Sequence, residues 1–183
     1  MTTGIAPHIG HVHLKVSNLE QSIKFYQDAL GLELTQRYGD SAAFLSFDSY
    51  HHHLGLNTWM SKGGSPAPRN SPGLFHFAVL FPTRKALAVA LKRLIEMGVQ
   101  IDGASDHGVS EAIYFHDPDG NGIEIYWDRP ESEWPKTEGK LNMVTDQLDL
   151  SELLDLSYIP WAIITFMCGY LIIALRISSA TFR

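Results

Sequence analysis

Apolar and polar residues alternate along Ile9 to Val16 (IGHVHLKV), which predicts a strand with Val12, Leu14 and Val16 on one face and His11, His13 and Lys15 on the other. The period then changes. Leu19, Ile23, Tyr26 and Leu30 recur at helical spacing behind Asn18, an N-cap residue with Gln21 three positions on, and Gly31 supplies a stop. Strand-like segments follow at about Leu32 to Arg37, Ala42 to Phe47 and His52 to Trp59, separated by turn residues such as Gly39-Asp40 and Asp48-Ser49. The order is βαβββ.

Ser61 to Pro72 (SKGGSPAPRNSP) reads as a loop, and the pattern beyond it repeats. Leu74 to Phe81 is again strand-like, Thr83 again a cap, and Arg84 to Met97 a helix with Leu87, Leu91, Leu94 and Ile95, closed by Gly98. His11 and His76 are 76 − 11 = 65 residues apart, and so are the caps, 83 − 18 = 65. One offset shared by a strand histidine and a helix cap indicates a duplicated module, which ends in strands near Val99 to Asp102, Ala112 to His116 and Gly122 to Trp127. The expected fold is therefore α+β: two tandem βαβββ modules forming a curved mixed-sheet cleft within residues 1–134, module one at about 9–60 and module two at about 73–128.

The remaining residues follow a different pattern. Pro135 to Lys140 reads as a linker and Asp146 to Leu156 as a short acidic amphipathic helix, together filling 135–157. Within the 158–183 tail, Ile159 to Leu175 is a 17-residue uncharged stretch, expected to be a hydrophobic C-terminal helix at the lower limit for crossing a membrane. It is a membrane anchor, a buried or partner-binding helix, or sequence acquired beyond the domain.

Composition narrows the partners. A formal charge of −6 without any Lys/Arg run argues against nucleic acid and for a small molecule. Cys168, the single cysteine, excludes an internal disulfide framework and a cysteine-based zinc site, and MTTGIAPHIG lacks the features of a secretory signal. The expectation is a cytoplasmic homo-oligomer, with membrane association, if any, through residues 159–175.

Chemistry enters at Glu124, a carboxylate in the apolar strand Gly122-Ile-Glu-Ile-Tyr-Trp127, where desolvation is costly unless the group is paired or bound to metal. Ile123 and Ile125 take the opposite face. His11 and His76 likewise lie opposite the apolar residues of their strands. If the two sheets curl toward each other, two imidazoles and one carboxylate converge as a facial triad, suited to Fe(II) or Mn(II) with positions left for substrate and O2. A lone histidine is more often a surface residue; the repeat offset together with Glu124 favours metal ligands. Asp117-Pro-Asp-Gly-Asn-Gly122, with Asp128 in twelfth position, also approaches an EF-hand calcium loop, but both flanks alternate as strands where an EF-hand needs helices.

The βαβββ pair with HVHLKVSNLE from His11, GLFHFA from Gly73 and DPDGNGIE ending at Glu124 resembles the vicinal oxygen chelate superfamily, which includes glyoxalase I, bleomycin-resistance proteins and extradiol dioxygenases. The likeness covers about residues 9–134. Ligand positions of that superfamily match His11, His76 and Glu124, and Gly55 takes the place where glyoxalase I has a further carboxylate. His52-His-Leu-Gly-Leu56, His107-Gly-Val109 and Tyr114, ten residues before Glu124, resemble the catechol 2,3-dioxygenase class. Those enzymes usually carry a second two-module domain, and their His-to-Tyr segment is longer.

The resemblance implies a metal-dependent extradiol dioxygenase that cleaves a catechol-type diol with O2, with His52 as acid/base and Tyr114 and His107 hydrogen-bonded to substrate oxygens. Strict alternation counted from Gly55 would instead turn His51 and His53 inward. Tyr114 also reads as a core aromatic, and His13 as a pocket or an exposed residue. The alternatives are a glyoxalase-like lyase or isomerase, and a non-catalytic small-molecule binding or resistance protein.

Overall fold

The computed structural model describes residues 7–68 and 70–157. Module one runs β1 (Val12–Lys15), α1 (Leu19–Leu30), β2 (Glu33–Tyr38), β3 (Ala42–Ser46) and β4 (Leu54–Asn57), and its sheet has the order β1-β4-β3-β2. Module two repeats it with β5 (Phe77–Leu80), α2 (Arg84–Glu96), β6 (Ile101–Asp106), β7 (Ser110–His116) and β8 (Gly122–Asp128). In each module the first strand pairs parallel with the last, while the other pairings are antiparallel. The result is a mixed α+β fold.

The caps behave as their sequence indicates. Asn18 accepts a hydrogen bond from the Gln21 amide at 3.2 Å and Thr83 from the Ala86 amide at 3.0 Å, each satisfying a first-turn donor that the helix leaves open. Both helices cover one side of the sheets. Leu14, Leu45 and Leu56 of sheet one and Ile113, Phe115, Ile123 and Ile125 of sheet two are buried with Ile23 and Tyr26 of α1 and Leu87, Leu91 and Leu94 of α2 in one core. The strand residues between them face the other way, which leaves a polar and aromatic wall on each sheet.

The 117–122 turn ties the modules together. Asp117 accepts from the amides of Asp119 and Asn121, from the Asn121 side chain, and at 2.8 Å from the Tyr26 hydroxyl of α1. Burial, then the Asp117 charge, holds the Tyr26 hydroxyl well above the usual phenol range. Asp119 accepts from the Ser17 amide at 3.0 Å. With strands on both flanks, these carboxylates serve a turn that sets β8 in register, as expected over the calcium loop. Asp119→Ala is expected to cost about 1 kcal/mol through the lost Ser17 bond, measured by denaturant unfolding, and to leave metal binding unchanged.

A close backbone approach follows immediately. A Cβ on Gly122 would lie 2.1 Å from the Phe75 carbonyl oxygen, so only glycine lets the segment entering β5 rest on the start of β8. Gly122→Ala is expected to destabilise by about 1–3 kcal/mol and to displace His76, the next residue after Phe75. Denaturant unfolding together with the His76 ring signals in an NMR spectrum tests this.

The C-terminal pattern differs from expectation. The supposed linker contains the β9 (Lys136–Thr137) and β10 (Lys140–Leu141) hairpin, and the acidic helix is shorter than 146–156. Asp146–Gln147 forms β11, which pairs with β6 and extends the second sheet to β11-β6-β7-β8-β5. Helix α3 (Leu150–Asp155) starts only after Asp149, whose carboxylate accepts from the Ser151 amide at 2.8 Å. The backbone groups of 146 and 147 are satisfied by a strand neighbour instead, a partner that local propensity does not show. Residues 159–175 lie outside the described residues. Among those described, no helix is long and apolar enough to cross a membrane.

Candidate metal centre

Sheet two carries a continuous file of polar side chains on its open face. Ala78 of β5 pairs in register with Glu124 of β8, and Glu124 with Tyr114 of β7, so alternation brings Glu124 and Tyr114 side by side. His76, two residues before Ala78, places Nε2 at 2.9 Å from Glu124 Oε2; the side chains are 31% and 14% exposed. The His76 and Tyr114 rings lie 5.7 Å apart. Burial, then the Glu124 charge, raises the Tyr114 hydroxyl above the usual phenol range. His107 closes the file, its Nε2 at 2.8 Å from the Tyr114 hydroxyl. The short His107–Tyr114 segment is sufficient because residues 107–109 are only a turn between β6 and β7.

Sheet one forms a second wall. The His11 ring lies 4.5 Å from that of His52, which also packs on Phe44 at 4.9 Å. Residues 51–53 precede β4 and do not follow its alternation. His52 therefore meets His11, whereas His53 turns to Ser46 at 2.9 Å and to the rings of Phe47 and Tyr50. His11 and strand β5 line one hollow of about 270 Å³, together with Val12, Phe47 and His53.

The structure thus joins His76, Glu124, Tyr114 and His107 into one group and His11 and His52 into another. No three His, Cys, Asp or Glu side chains among the described residues are grouped tightly enough to hold a metal ion. The donor chemistry still fits a divalent metal in part. His76 and Glu124 offer imidazole nitrogen and carboxylate oxygen at adjacent points of an open face.

Register identifies the counterpart of Glu124 in module one. His13↔Gly55 in the β1/β4 pair corresponds to Ala78↔Glu124 in the β5/β8 pair. Gly55 therefore stands where Glu124 stands in the other module, and the sizes are exchanged. The His13 ring fills the space, since a Cβ on Gly55 would lie 2.8 Å from its Cγ, and it packs against Trp59 at 5.7 Å. His13 is a wall residue of the cleft that strand alternation placed on the right face but could not seat.

Desolvation, then the charge of His11, lowers the His13 pKa below the ordinary histidine range; desolvation, then His11 and the neighbouring histidines, does the same to His52. The fold thus favours both neutral forms. Below about pH 6.5 the unfolded chain binds protons that the folded chain does not, so stability falls as pH drops from there toward the lowered values and is flat above. The acid slope of Tm between about pH 7 and 5 is expected to shrink in a His13→Asn/His52→Asn variant.

The Glyoxalase/Bleomycin resistance protein/Dioxygenase superfamily model matches residues 8–125, both modules. The chain belongs to this superfamily. It is 44% identical over 149 residues to the catechol-2,3-dioxygenase of Bacillus subtilis, covering 81% of this chain and 51% of that enzyme. It is 30% identical over 143 residues to the manganese-dependent 2,3-dihydroxybiphenyl 1,2-dioxygenase of Geobacillus genomosp. 3, covering 76% of this chain and 42% of that one. The chain thus spans about half the length of these curated relatives. Among solved structures, a glyoxalase/dioxygenase from Nostoc punctiforme superposes with a TM-score of 0.58 at 21% identity, over 71% of this chain and 99% of that one, and shares the superfamily fold.

Proposed function

We propose that the protein is a metal-dependent extradiol ring-cleaving dioxygenase that acts on a catechol-type aromatic diol with O2. The observation that carries this reading is the file of His76, Glu124, Tyr114 and His107 across one sheet face, opposite a module that has Gly55 in place of a fourth donor. His11, His76 and Glu124 would hold Fe(II), or Mn(II) as the Geobacillus relative's name suggests for that enzyme. When bound, the metal supplies Lewis acidity and electron transfer between diol and O2.

The protein's own groups bind, orient and move protons. Tyr114, whose hydroxyl is held by His107, offers its oxygen to a hydroxyl of the diol. His52 is held neutral in the fold and so accepts a proton at its ring nitrogen from the diol, then returns it to the product. Phe44, Trp59 and His13 provide aromatic surface for the planar ring. Gly55 leaves the space that the His13 ring occupies. Gly55→Glu is expected to drive His13 from its seat and place a carboxylate where the diol binds, lowering turnover on the order of 100-fold while metal remains bound.

The test is anaerobic loading with Fe(II) or Mn(II), followed by a catechol and air. A yellow ring-fission product is expected. If mono- and bicyclic catechols all give no product and neither metal binds, the reading fails.

A further inference from the structure

We propose that residues 142–148, beyond the span of the superfamily match, are a working part of this site: they lock His107 in its Nδ1–H tautomer and so fix the Tyr114 hydroxyl as a donor to His107, its oxygen left to accept from substrate. The segment lies along the β6–β7 turn. The Val144 amide donates to the His107 carbonyl at 3.1 Å, and His107 Nδ1 lies 3.0 Å from the Val144 carbonyl, with the Thr145 hydroxyl at 3.4 Å from the same nitrogen. Pairing of β11 with β6 and burial of Leu148 hold the segment in place. Gly108, at φ 74°, lets it approach, since a Cβ there would lie 2.8 Å from Pro135 Cγ and 3.3 Å from Val144 Cγ2.

A carbonyl oxygen only accepts, so Nδ1 of His107 carries a proton, and Nε2 of the neutral ring is left as an acceptor. Its partner is the Tyr114 hydroxyl at 2.8 Å. The phenol has one proton to give. With Nε2 as acceptor, that proton goes to His107, and the phenol oxygen is left to accept from a hydroxyl of the diol. With the other tautomer, Nε2–H would donate to the phenol oxygen, and the phenol would turn its own proton toward the open face. The positioning residue is thus Val144, acting through its backbone, and the chemistry it controls lies two side chains away.

The proposal rests on Tyr114 as a contact of the proposed substrate for its consequence, but the tautomer itself is read on metal-free protein by ¹⁵N–¹H correlation of the histidine rings above their titration range. His107 is expected as Nδ1–H in the wild type. Two variants displace the segment by different means: Val144→Pro removes the amide donor, and Gly108→Ala adds the clashing Cβ. Either is expected to move His107 toward Nε2–H, with the His11 and His76 signals retained as the control for folding. Tyr114→Phe is expected to leave His107 as Nδ1–H, because the segment and not the phenol sets it. Nε2–H in the wild type, an unchanged tautomer in a folded displaced variant, or loss of Nδ1–H in Tyr114→Phe would each overturn the proposal. Ring cleavage is assayed separately, so its failure is distinguishable from failure of the tautomer lock.

Discussion

Replacing Glu124 with alanine is expected to abolish tight binding of Fe(II) or Mn(II), and ring cleavage with it, while leaving the protein folded. The carboxylate is the single anionic donor proposed for the metal, whereas outer partners typically alter affinity by about 10–100-fold. Loss of a ligand should exceed that range. The fold does not depend on Glu124, because the side chain lies on the open face and its polar neighbours there are His76 and Tyr114. Metal titration followed by optical or calorimetric signals, paired with thermal unfolding of the metal-free forms, separates the two effects. Wild-type affinity in the Glu124→Ala protein would refute the ligand assignment, as would loss equal to that in Asp119→Ala.

Replacing Glu111 is expected to produce the largest change in stability. Its side chain is 2% exposed and lies on the helix-facing side of β7, between two guanidinium groups: Arg84 Nε at 2.7 Å and Arg129 at 2.9 Å. Arg129 also reaches Asp106 at 2.6 Å, and Arg84 reaches Glu152 of α3 at 3.2 Å. The buried carboxylate therefore joins α2, the β6–β7 hairpin and the C-terminal helix in one network. Glu111→Ala leaves two cations facing an empty buried position and is expected to cost about 3–5 kcal/mol, the range for breaking one partner of a buried ion pair. Glu111→Gln retains two hydrogen-bonding atoms and should cost less. Denaturant unfolding measures both, and a loss below about 1 kcal/mol in the alanine variant would mean that the network behaves as a surface pair. Because Asp106 neighbours His107, the same variant should also loosen the turn that carries His107.

Much of this was legible locally. The strand alternation, the helix caps and the 65-residue offset each involve residues within one element or one repeat, and the structure reproduces them with small changes of boundary. Glu124 drew attention as a carboxylate in an apolar strand. Glu111 invited the same question, since it shares a face with Ile113 and Phe115, and that signal passed unused. Residues 146 and 147 read as helix because their strand partner is forty residues away in β6 (146 − 106 = 40).

The sequence by itself determined the duplicated module, the order of its elements and the residue types available on each open strand face, because periods of two and 3.6 residues are set by neighbours in the chain. Tertiary structure alone decided which of those residues meet. Tyr26 and Asp117 bond across 91 positions and Ser17 and Asp119 across 102. His13 settles over Gly55, His52 rather than His53 turns to His11, and Val144 takes hold of His107. These contacts depend on how two sheets and a returning C-terminal segment pack, and packing sums many weak interactions over the whole core, which no local pattern records.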